Sequence, residues 1–462
     1  MITHEEIKNL VVEWNIREDV IEKDYVIGWL LWGIGQDKDL KDKWVFKGGT
    51  SLKKCYLETY RFSEDLDFTV LPDAPLKPQD VQPILERILD RVHEESGINF
   101  SVKPVLLKQK NFPLYTEGRI YYQGPRRAPT PARIKLDLSA SEKVVSQSIT
   151  RSITHSYSDK LPEPANVLCY SLEEVFAEKI RAMGERGYPR DLYDIIFLFR
   201  NGPFKENPEL IKSILVSKCE SKNVPLPSIE IVKQPQLLNE LKAEWGNMLG
   251  HQLPKLPNFE EFLDELPELF NWLEKRFIPE PLKTIPGRKG EEIGWYPPAG
   301  VTRWGFNIPL ESIRFAAVNH LCIELGYNGT KRIIEPYSLR RTTEGNLLLY
   351  TIKVGYNEIR AYRVDRIESV RVTDNTFQPK FQIEFSPSGN IDAPPTDRKI
   401  IKFKHPSFKK YHKTFGPTYI FECPVCGKRF KRSKYDSTLK PHKDKNGYMC
   451  MGRYGYYIET KY

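Results

Sequence analysis

Two short stretches near the amino terminus combine a glycine turn with paired carboxylates. Gly48, Gly49 and Thr50 precede an apolar helix start. Such a turn leaves backbone N–H groups open to hold a phosphate against the positive end of a helix. Asp65 and Asp67 follow. On a strand, residues two positions apart point to the same face, so both carboxylates would lie on one side. Paired acids beside a phosphate cradle are typical of a magnesium–nucleotide site, so the chain is expected to move a nucleotide.

A third acid lies on a later stretch of alternating residues. Between residues 133 and 138 charged and apolar side chains alternate, so Arg133, Lys135 and Asp137 share one face of a predicted strand. Asp137 is the candidate third carboxylate of a nucleotidyl-transfer site, where Mg²⁺ ions activate the attacking oxygen and neutralise the leaving pyrophosphate. Each motif alone also has a structural interpretation, as a solvated strand end or a plain turn. Their order along the chain favours catalysis.

Four potential zinc ligands lie near the carboxyl terminus. Cys423 and Cys426 are separated by two residues, and His442 and Cys450 follow. Thiolates at this spacing share one tetrahedral ion, and the histidine and third thiolate complete four ligands. The spacing Cys-x2-Cys-x15-His-x7-Cys departs from the commonest finger spacings. The prediction is a structural Zn²⁺ site, and the alternative is a set of free thiols with an incidental histidine.

Positive charge is concentrated in the same region. The whole chain carries +9, whereas residues 401–462 contain fifteen Lys/Arg against four Asp/Glu, a net +11. Aromatic residues interleave these cations, which suits a phosphate backbone with bases stacked on rings. A solubilising charged surface is an equally weighted alternative. The interleaved aromatics are Tyr411, Phe415, Tyr419, Phe421, Phe430 and Tyr435.

Apolar content and periodicity predict a folded, cytoplasmic protein of several domains. Hydrophobic residues make up 40% of 462, and the chain contains neither an apolar run of eighteen residues nor a signal-peptide pattern. Ser171 and Glu174 form a predicted capping box that opens a helix. Proline and glycine concentrate between 279 and 300 and predict a linker. Periodicity predicts helices over 5–33, 81–92 and most of 171–275, strands at 44–46, 99–107, 117–123 and 133–138, helix or strand over 313–325, and strands between 331 and 373.

Three stretches resemble the nucleotidyltransferase toxins of the AbiEii/AbiGii type. They are Phe46-Lys-Gly-Gly-Thr-Ser-Leu, Arg61-Phe-Ser-Glu-Asp-Leu-Asp-Phe, and Glu178-Lys-Ile-Arg-Ala together with Arg190-Asp-Leu-Tyr-Asp. The resemblance extends over about residues 20–200. It implies an α+β fold with a polymerase-β-like nucleotidyltransferase core and a helical second lobe, a bacterial or phage-related source, and a role in toxin–antitoxin or anti-phage defence.

The same resemblance assigns roles to individual residues. It makes Gly49 and Thr50 phosphate contacts, with Gly48 in the same turn, and makes Asp65 and Asp67 metal ligands. Lys179 becomes a nucleotide-phosphate contact and Asp191 a second-lobe active-site acid.

Three of these assignments have alternatives when the residues are taken alone. Lys179 is then a solvated helix lysine, and Asp191 is a helix-start residue that interacts with the helix dipole, Arg186 or Arg190. Arg61 pairs either with an active-site acid or with a substrate phosphate.

A second resemblance extends over about residues 311–380. Glu335-Pro-Tyr-Ser-Leu, Gly345-Asn-Leu-Leu-Leu-Tyr and Arg360-Ala-Tyr-Arg-Val-Asp-Arg-Ile are similar to WYL domains, although Leu347-Leu348-Leu349 replaces the aromatic start of the naming tripeptide. The resemblance implies a small Sm-like β-barrel that senses nucleic acid or nucleotides, with Arg360 and Arg366 as ligand contacts. The predicted domains are a nucleotidyltransferase N-lobe (1–160), a helical C-lobe (161–278), a linker (279–300), a WYL-like β domain (301–390) and a basic zinc-binding module (405–462).

These features give two functional hypotheses. The first is a magnesium-dependent nucleotidyltransferase toxin that transfers a nucleoside monophosphate from an NTP to RNA, with the 3′ end of tRNA a candidate, or to a protein. The WYL-like and zinc modules would regulate it, and an antitoxin is a possible partner. The alternative is a nucleic-acid-binding WYL-type regulator whose transferase core is inactive. A plain structural scaffold would leave the acids unexplained, and no membrane partner is expected.

Overall fold

A computed structural model describes residues 1–111, 114–276, 280–293, 310–388 and 418–461. The chain divides into two compact units, Met1–Pro395 and Thr396–Tyr462. Three predicted segments lie partly outside the described residues: the linker (279–300), the WYL-like domain and the zinc module. Tyr411 and Phe415 lie entirely outside them. The five domain boundaries therefore stay predictions.

Helices and strands alternate through the first unit, and strands dominate the second. The helices are α1 (His4–Trp14), α2 (Glu18–Gln36), α3 (Gly48–Ser51), α4 (Pro78–Ser96), α5 (Leu172–Arg186), α6 (Pro189–Asn201), α7 (Pro208–Lys222), α8 (Ile229–Val232), α9 (Pro235–Leu249), α10 (Phe259–Asp264), α11 (Leu266–Leu273) and α12 (Leu310–Val318). The strands are β1 (Trp44–Lys47), β2 (Asp65–Val70), β3 (Leu106–Asn111), β4 (Leu114–Tyr122), β5 (Ala132–Ser139), β6 (Ile149–Ser152), β7 (Asn166–Cys169), β8 (Glu292–Ile293), β9 (Leu321–Tyr327), β10 (Thr330–Arg341), β11 (Leu347–Lys353), β12 (Glu358–Arg363), β13 (Ile367–Thr376), β14 (Thr418–Glu422), β15 (Arg429–Arg432), β16 (His442–Lys443), β17 (Met449–Cys450) and β18 (Tyr456–Lys461).

A seven-stranded mixed sheet carries the acidic residues. Its strand order is β3-β4-β5-β2-β1-β7-β6, with β2 parallel to β5 and antiparallel to β1. Leu66 and Phe68 of β2 and Leu136 of β5 are fully buried on one face. They belong to a core that includes the apolar sides of α2 and α4. The alternation of apolar and charged residues thus turns the charged set to the opposite face, as the sequence predicts.

The helical second lobe begins with half of the predicted capping box. Ser171 accepts a hydrogen bond of 3.2 Å from the backbone N–H of Glu174, which starts α5. Glu174 does not reach back to the cap. Its buried carboxylate accepts from the backbone N–H groups of Val145 and Ser146 and pairs with Lys218 at 2.7 Å. The predicted contact of the Glu174 side chain with the backbone of the N-cap residue was therefore wrong. This carboxylate instead joins the second lobe to the loop after β5.

A β-rich region follows the second lobe and shares its hydrophobic core. Its strands run β12-β11-β10-β9-β13, with β8 paired to β10, so β12 and β13 are edges of an open sheet. The Sm-like barrel stays a prediction. Apolar residues of α12 and β9 belong to the same buried cluster as α6 and α10. The Tyr193 hydroxyl also donates to Asn319 at 3.0 Å. The two parts are therefore packed together.

Two element predictions needed correction, and a third, left open between helix and strand, is resolved. The helix expected over 5–33 is two helices, because Asn15 between them has a left-handed backbone (φ 52°). The strand expected at 99–107 begins only at Leu106. The ambiguous stretch at 313–325 is a helix followed by a strand, with the left-handed His320 (φ 57°) between them.

The C-terminal unit contains two small sheets. Strands β15-β14-β18 form one antiparallel sheet, and β16 pairs with β17. None of the helices in the described part of the chain is both long and apolar enough to cross a membrane.

Candidate active site

The glycine turn lies where β1 meets α3 and is shaped by close neighbours. Gly48 has a φ of +80°, and a Cβ there would lie 2.7 Å from Oδ2 of Asp67. A Cβ at Gly49 would lie 2.4 Å from the Arg61 guanidinium. The Thr50 hydroxyl donates to the backbone carbonyl of Asp65 at 2.5 Å. The turn therefore needs glycine at both positions, and the threonine side chain ties it to β2.

The three predicted carboxylates lie at neighbouring positions of the sheet. In the β2–β5 ladder Asp67 is opposite Asp137, and in the β1–β2 ladder Lys47 is opposite Asp67. Asp65 is two residues earlier on the same face. Asp137 accepts a hydrogen bond of 2.6 Å from Lys135 and another from the Tyr115 hydroxyl. The structure therefore brings the predicted acids to one face beside the glycine turn.

Burial and like charge act on the central carboxylate. Burial, the largest cause, and the negative charges of Asp137 and Asp65 together raise the pKa of Asp67 to about 6, while the positive charge of Lys47 opposes them. Burial also raises the pKa of Asp65, against the charges of Lys135 and Arg190. A raised pKa means that nearby positive charge compensates the negative charge of these carboxylates only incompletely. The donor set is chemically suited to a divalent cation, which prefers carboxylate oxygens.

The second lobe contributes a buried ion-pair chain. Lys179 lies 3.2 Å from Asp191 and 2.9 Å from Asp194, and both aspartates are fully buried. Arg186 also contacts Asp191, at 2.9 Å. Burial alone would raise the pKa of Asp191, but Lys179 and Arg186 hold it below its usual range. The positive charge of Lys179 opposes the raised pKa of Asp67, so the second lobe faces the acidic sheet.

Arg61 is directed away from solvent. Its guanidinium donates twice to Asp194, at 2.7 Å each, and once to Gln252 at 2.9 Å, and the residue is 1% exposed. Of the two roles that the sequence leaves open, the structure shows pairing with an acid. The acid is Asp194, one turn beyond Asp191, so Arg61 joins the first lobe to the second.

Sequence reasoning missed several residues around Asp65. Glu64 is paired with Lys23 and lies 3.1 Å from His251. Arg190, considered from the sequence as a partner for Asp191, has no hydrogen-bond or ion-pair partner among the described residues. Burial raises the pKa of Asp65, and the positive charge of Arg190 is one of those that oppose this rise. A pocket of about 360 Å³ opens beside this carboxylate. Nothing in the local pattern around Lys23 predicts a contact with a residue 41 positions away.

The loop between α3 and β2 is held by parts of the chain far along the sequence. The backbone N–H of Thr59 donates to Pro387 at 2.9 Å, and its hydroxyl donates to Glu311 at 2.8 Å. The Ser388 hydroxyl donates to the carbonyl of Tyr56 at 2.5 Å. This loop connects the glycine turn to the acidic strand, and contacts from α12 and from the residues after β13 hold it in place.

The two arginines expected to bind a ligand in the β-rich region are both exposed. Arg360 lies on the edge strand β12 and pairs with Glu358 of the same strand. Arg366 follows in a short 3-10 turn and has no hydrogen-bond or ion-pair partner in the described part of the chain. The geometry does not gather them into a pocket, and their role stays a prediction.

The four predicted zinc ligands meet in the C-terminal unit. The Sγ atoms of Cys423 and Cys450 are 3.7 Å apart, and Sγ of Cys426 is 3.3 Å from Nε2 of His442. Two thiolates bound to one tetrahedral Zn²⁺ at about 2.3 Å lie about 3.8 Å apart, so the set fits this ion. Nδ1 of His442 lies 2.9 Å from the Lys440 carbonyl, which leaves Nε2 as the ligand atom.

This cluster differs from the acidic face in how closely its ligand atoms converge. Within the described ranges it is the one group of three or more such side chains with all ligand atoms within 4.8 Å of one another. The three aspartates share a face but do not meet that closely. Asp137 instead interacts with Lys135 and Tyr115.

Comparison with known proteins adds a family to this geometry. Residues 29–265, slightly more than half of the chain, match the family model described as nucleotidyl transferase AbiEii toxin, type IV TA system. Among solved structures, MenT4, a nucleotidyltransferase toxin from Mycobacterium tuberculosis H37Rv, is similar at 18% sequence identity. That match covers 59% of this chain and 90% of MenT4, with a TM-score of 0.43. No curated protein matches the sequence.

Proposed function

Because this chain belongs to the family of nucleotidyl transferase AbiEii toxins of type IV toxin–antitoxin systems, we propose that it transfers a nucleoside monophosphate from an NTP to RNA. The 3′ end of tRNA is the first acceptor to test, and an antitoxin would restrain the activity, in toxin–antitoxin or anti-phage defence. One observation carries the proposal: Asp65, Asp67 and Asp137 share the sheet face beside the Gly48–Gly49 turn.

Each lobe has a role in this proposal. The N–H groups of Gly48 and Gly49 bind triphosphate oxygens at the start of α3. Lys179 and Arg190 supply positive charge from the second lobe, where negative charge grows on the leaving pyrophosphate. Arg61 and Asp194 hold the lobes in register, so that these cations stay opposite the acids.

The acidic face would hold the metal. Asp65, Asp67 and Asp137 are the residues that would ligate Mg²⁺, which when bound supplies Lewis-acid stabilisation of the phosphoryl group. Burial and mutual repulsion raise the pKa of Asp67 to about 6, which is the electrostatic state that a divalent cation relieves.

The activity test uses two labels and one matched control. Wild type, Asp65→Asn/Asp67→Asn and Asp90→Asn are incubated with tRNA, Mg²⁺ and each NTP labelled on either the α- or the γ-phosphate. Asp90 is an exposed acid on α4 of the same lobe. We expect α-label, and not γ-label, to enter tRNA with wild type and Asp90→Asn only. Chelation of Mg²⁺ and periodate oxidation of the tRNA 3′ end should each abolish labelling.

Two results would contradict the proposal. Equal labelling by the double variant would remove the acids from catalysis. RNA binding by wild type without any label transfer, across all four NTPs and with protein acceptors also present, would favour the regulator with an inactive core.

A glycine substitution separates crowding at the turn from backbone strain. Gly48→Ala places a methyl group 2.7 Å from Oδ2 of Asp67, whereas Gly345→Ala has the same φ of +80° with no atom within 4 Å. Both should lose about 1 kcal/mol of stability from the left-handed backbone. Only Gly48→Ala should also lose label transfer, by about tenfold or more. Urea unfolding and the labelling assay measure the two effects, and equal transfer by both variants would contradict the predicted contact.

The C-terminal cluster is proposed to hold one structural Zn²⁺, and this module and the WYL-like region are proposed to regulate transfer. We expect about one zinc per purified chain and loss of that zinc in Cys426→Ser, with unfolding of residues 418–461 detected by proteolysis. Cys219→Ser, which changes a buried cysteine of α7, should keep its zinc. Full zinc content in Cys426→Ser would contradict the ligand assignment.

A further inference from the structure

Exposed aromatic rings concentrate in the C-terminal unit. The exposed fractions are 65% for Tyr435, 75% for Tyr448, 69% for Tyr454, 51% for Tyr456 and 43% for Tyr457. In the rest of the described chain, the exposed aromatic residues are Tyr188, at 40%, and Tyr356, at 65%. Rings left in water by a small unit indicate a surface that contacts something else.

Two of these rings, Tyr435 and Tyr457, form one group with Tyr419 and Phe421 on the β14–β15–β18 sheet. Tyr435 lies 5.3 Å from Tyr419, 5.4 Å from Phe421 and 5.4 Å from Tyr457, measured between ring centroids. Phe421 is 1% exposed and forms the floor. In the strand ladder Tyr419 is opposite Arg432, so a guanidinium shares the face with the rings. We call Tyr419, Tyr435 and Tyr457 the tyrosine platform.

The cations of this unit are mostly uncompensated. Residues 418–461 contain ten Lys/Arg against four Asp/Glu. Only Arg429 and Lys461 lie within ion-pair distance of a carboxylate among these described residues. Arg432 and Arg453 donate to backbone carbonyls, which leaves their charges unbalanced.

Two of the four acids, Asp436 and Asp444, hold local turns and form no ion pair with these cations. Asp436 accepts from the backbone N–H of Thr438 at 2.9 Å, and Asp444 accepts from those of Asn446 and Tyr448 at 2.9 and 3.0 Å. The unit therefore presents net positive charge around exposed rings. The active site presents the opposite case, in which most cations are paired with carboxylates.

We infer that the C-terminal unit binds single-stranded nucleic acid, with unpaired bases stacked on the tyrosine platform and phosphates beside the unpaired cations. Stacking requires bases that are not already paired, which selects single strands over duplexes. An acidic protein would use the cations but not the rings. An anionic membrane surface would use the cations without any preference for an oligonucleotide. This binding is independent of the transferase chemistry proposed above.

The test measures binding of fluorescent oligonucleotides to the zinc-loaded full chain. The probes are a twelve-nucleotide oligo(U) RNA, its DNA counterpart oligo(dT), and a twelve-base-pair duplex. Fluorescence anisotropy measures the binding of each probe at several salt concentrations. Tyr435→Ala should weaken single-strand binding by about 5- to 100-fold. Tyr356→Ala is the matched control, because that ring is also 65% exposed, lies near Lys353, and belongs to the β-rich region. It should bind like wild type.

Charge reversal tests the phosphate contacts separately. Arg432→Glu/Lys434→Glu should weaken binding and reduce the slope of log K against log salt by about 1.4, since each phosphate contact on a single strand contributes about 0.7. Asp65→Asn/Asp67→Asn should bind the oligonucleotides like wild type. Zinc content and thermal melting confirm that each variant is folded.

Three outcomes would overturn the inference. The first is wild-type affinity in Tyr435→Ala and in the charge reversal. The second is duplex binding as tight as single-strand binding. The third is complete displacement of oligo(U) by anionic phospholipid vesicles or an acidic peptide at equal charge concentration. Binding of oligo(U) or oligo(dT) with the predicted sensitivity to both substitutions supports it.

Discussion

Asp67→Asn is expected to lower label transfer by at least about 100-fold while leaving the protein folded. Asp67 is the central acid of the face, opposite Asp137 in the ladder and 2.7 Å from the position of a Gly48 Cβ. Asparagine keeps the shape of the side chain but removes the charge that a divalent cation requires. The loss should appear in the α-label assay at every Mg²⁺ concentration.

The same substitution, Asp67→Asn, should raise the free energy of unfolding at pH 7, although it lowers label transfer. The pKa of Asp67 is raised to about 6 in the folded protein, so the folded state binds its proton more tightly than the unfolded state, whose pKa is 3.8. Stability from this group is complete below about pH 4 and is lost as pH rises through about 6. At pH 7 Asp67→Asn should therefore unfold at higher urea, by on the order of 1 kcal/mol, whereas Asp90→Asn should change neither activity nor stability. If Asp67→Asn kept wild-type label transfer and gained no stability, the assignment of Asp67 to the site would be contradicted.

Asp194→Asn is expected to cost about 3–5 kcal/mol of unfolding free energy. The carboxylate receives two hydrogen bonds from Arg61 and one ion pair from Lys179, and all three groups are buried. Removing its charge leaves Arg61 without a carboxylate partner and Lys179 with Asp191 alone, in a region with little water. The exposed pair Arg17–Asp19 has similar two-point contacts at 2.9 and 2.6 Å. Asp19→Asn should cost less than about 1 kcal/mol, because water screens it.

The pH dependence gives a second readout. Burial alone would raise the pKa of Asp194, but Arg61 and Lys179 hold it below its usual range. The stability that this group contributes is present above about pH 4 and is lost as pH falls further. Urea unfolding of wild type between pH 5 and pH 3 should therefore show a steeper loss than that of Asp194→Asn. Equal slopes, or equal costs for the Asp194 and Asp19 variants, would show that the buried pair does not join the lobes.

The sequence predicts the local parts of this site well. Alternation around Asp65, Asp67 and Asp137 determines which side chains share a face, because strand periodicity is a property of neighbouring residues. Ser171 as a helix cap and the meeting of Cys423, Cys426, His442 and Cys450 likewise depend on spacing within short segments, and the structure confirms both geometries.

Long-range partners could not be predicted in the same way. The contact between Arg61 and Asp194 spans 133 residues, and neither residue carries a local pattern that selects the other. Glu174 illustrates the same difficulty: its spacing from Ser171 suggests a capping role, but tertiary packing directs its carboxylate to Val145 and Ser146. The neighbouring positions of Asp67 and Asp137 depend on strand order, which periodicity does not specify.

The attachment of the loop before β2 determines how fragments of this protein should be used. A fragment that covers only residues 29–265 would lack Glu311, Pro387 and Ser388. It would therefore lose three hydrogen bonds that hold the loop between the glycine turn and the acidic strand. It would also expose the apolar surface of α6 against which α12 packs in the longer chain. An inactive fragment would therefore report the loss of these contacts, and the proposed activity should be measured on a chain that retains residues 310–388.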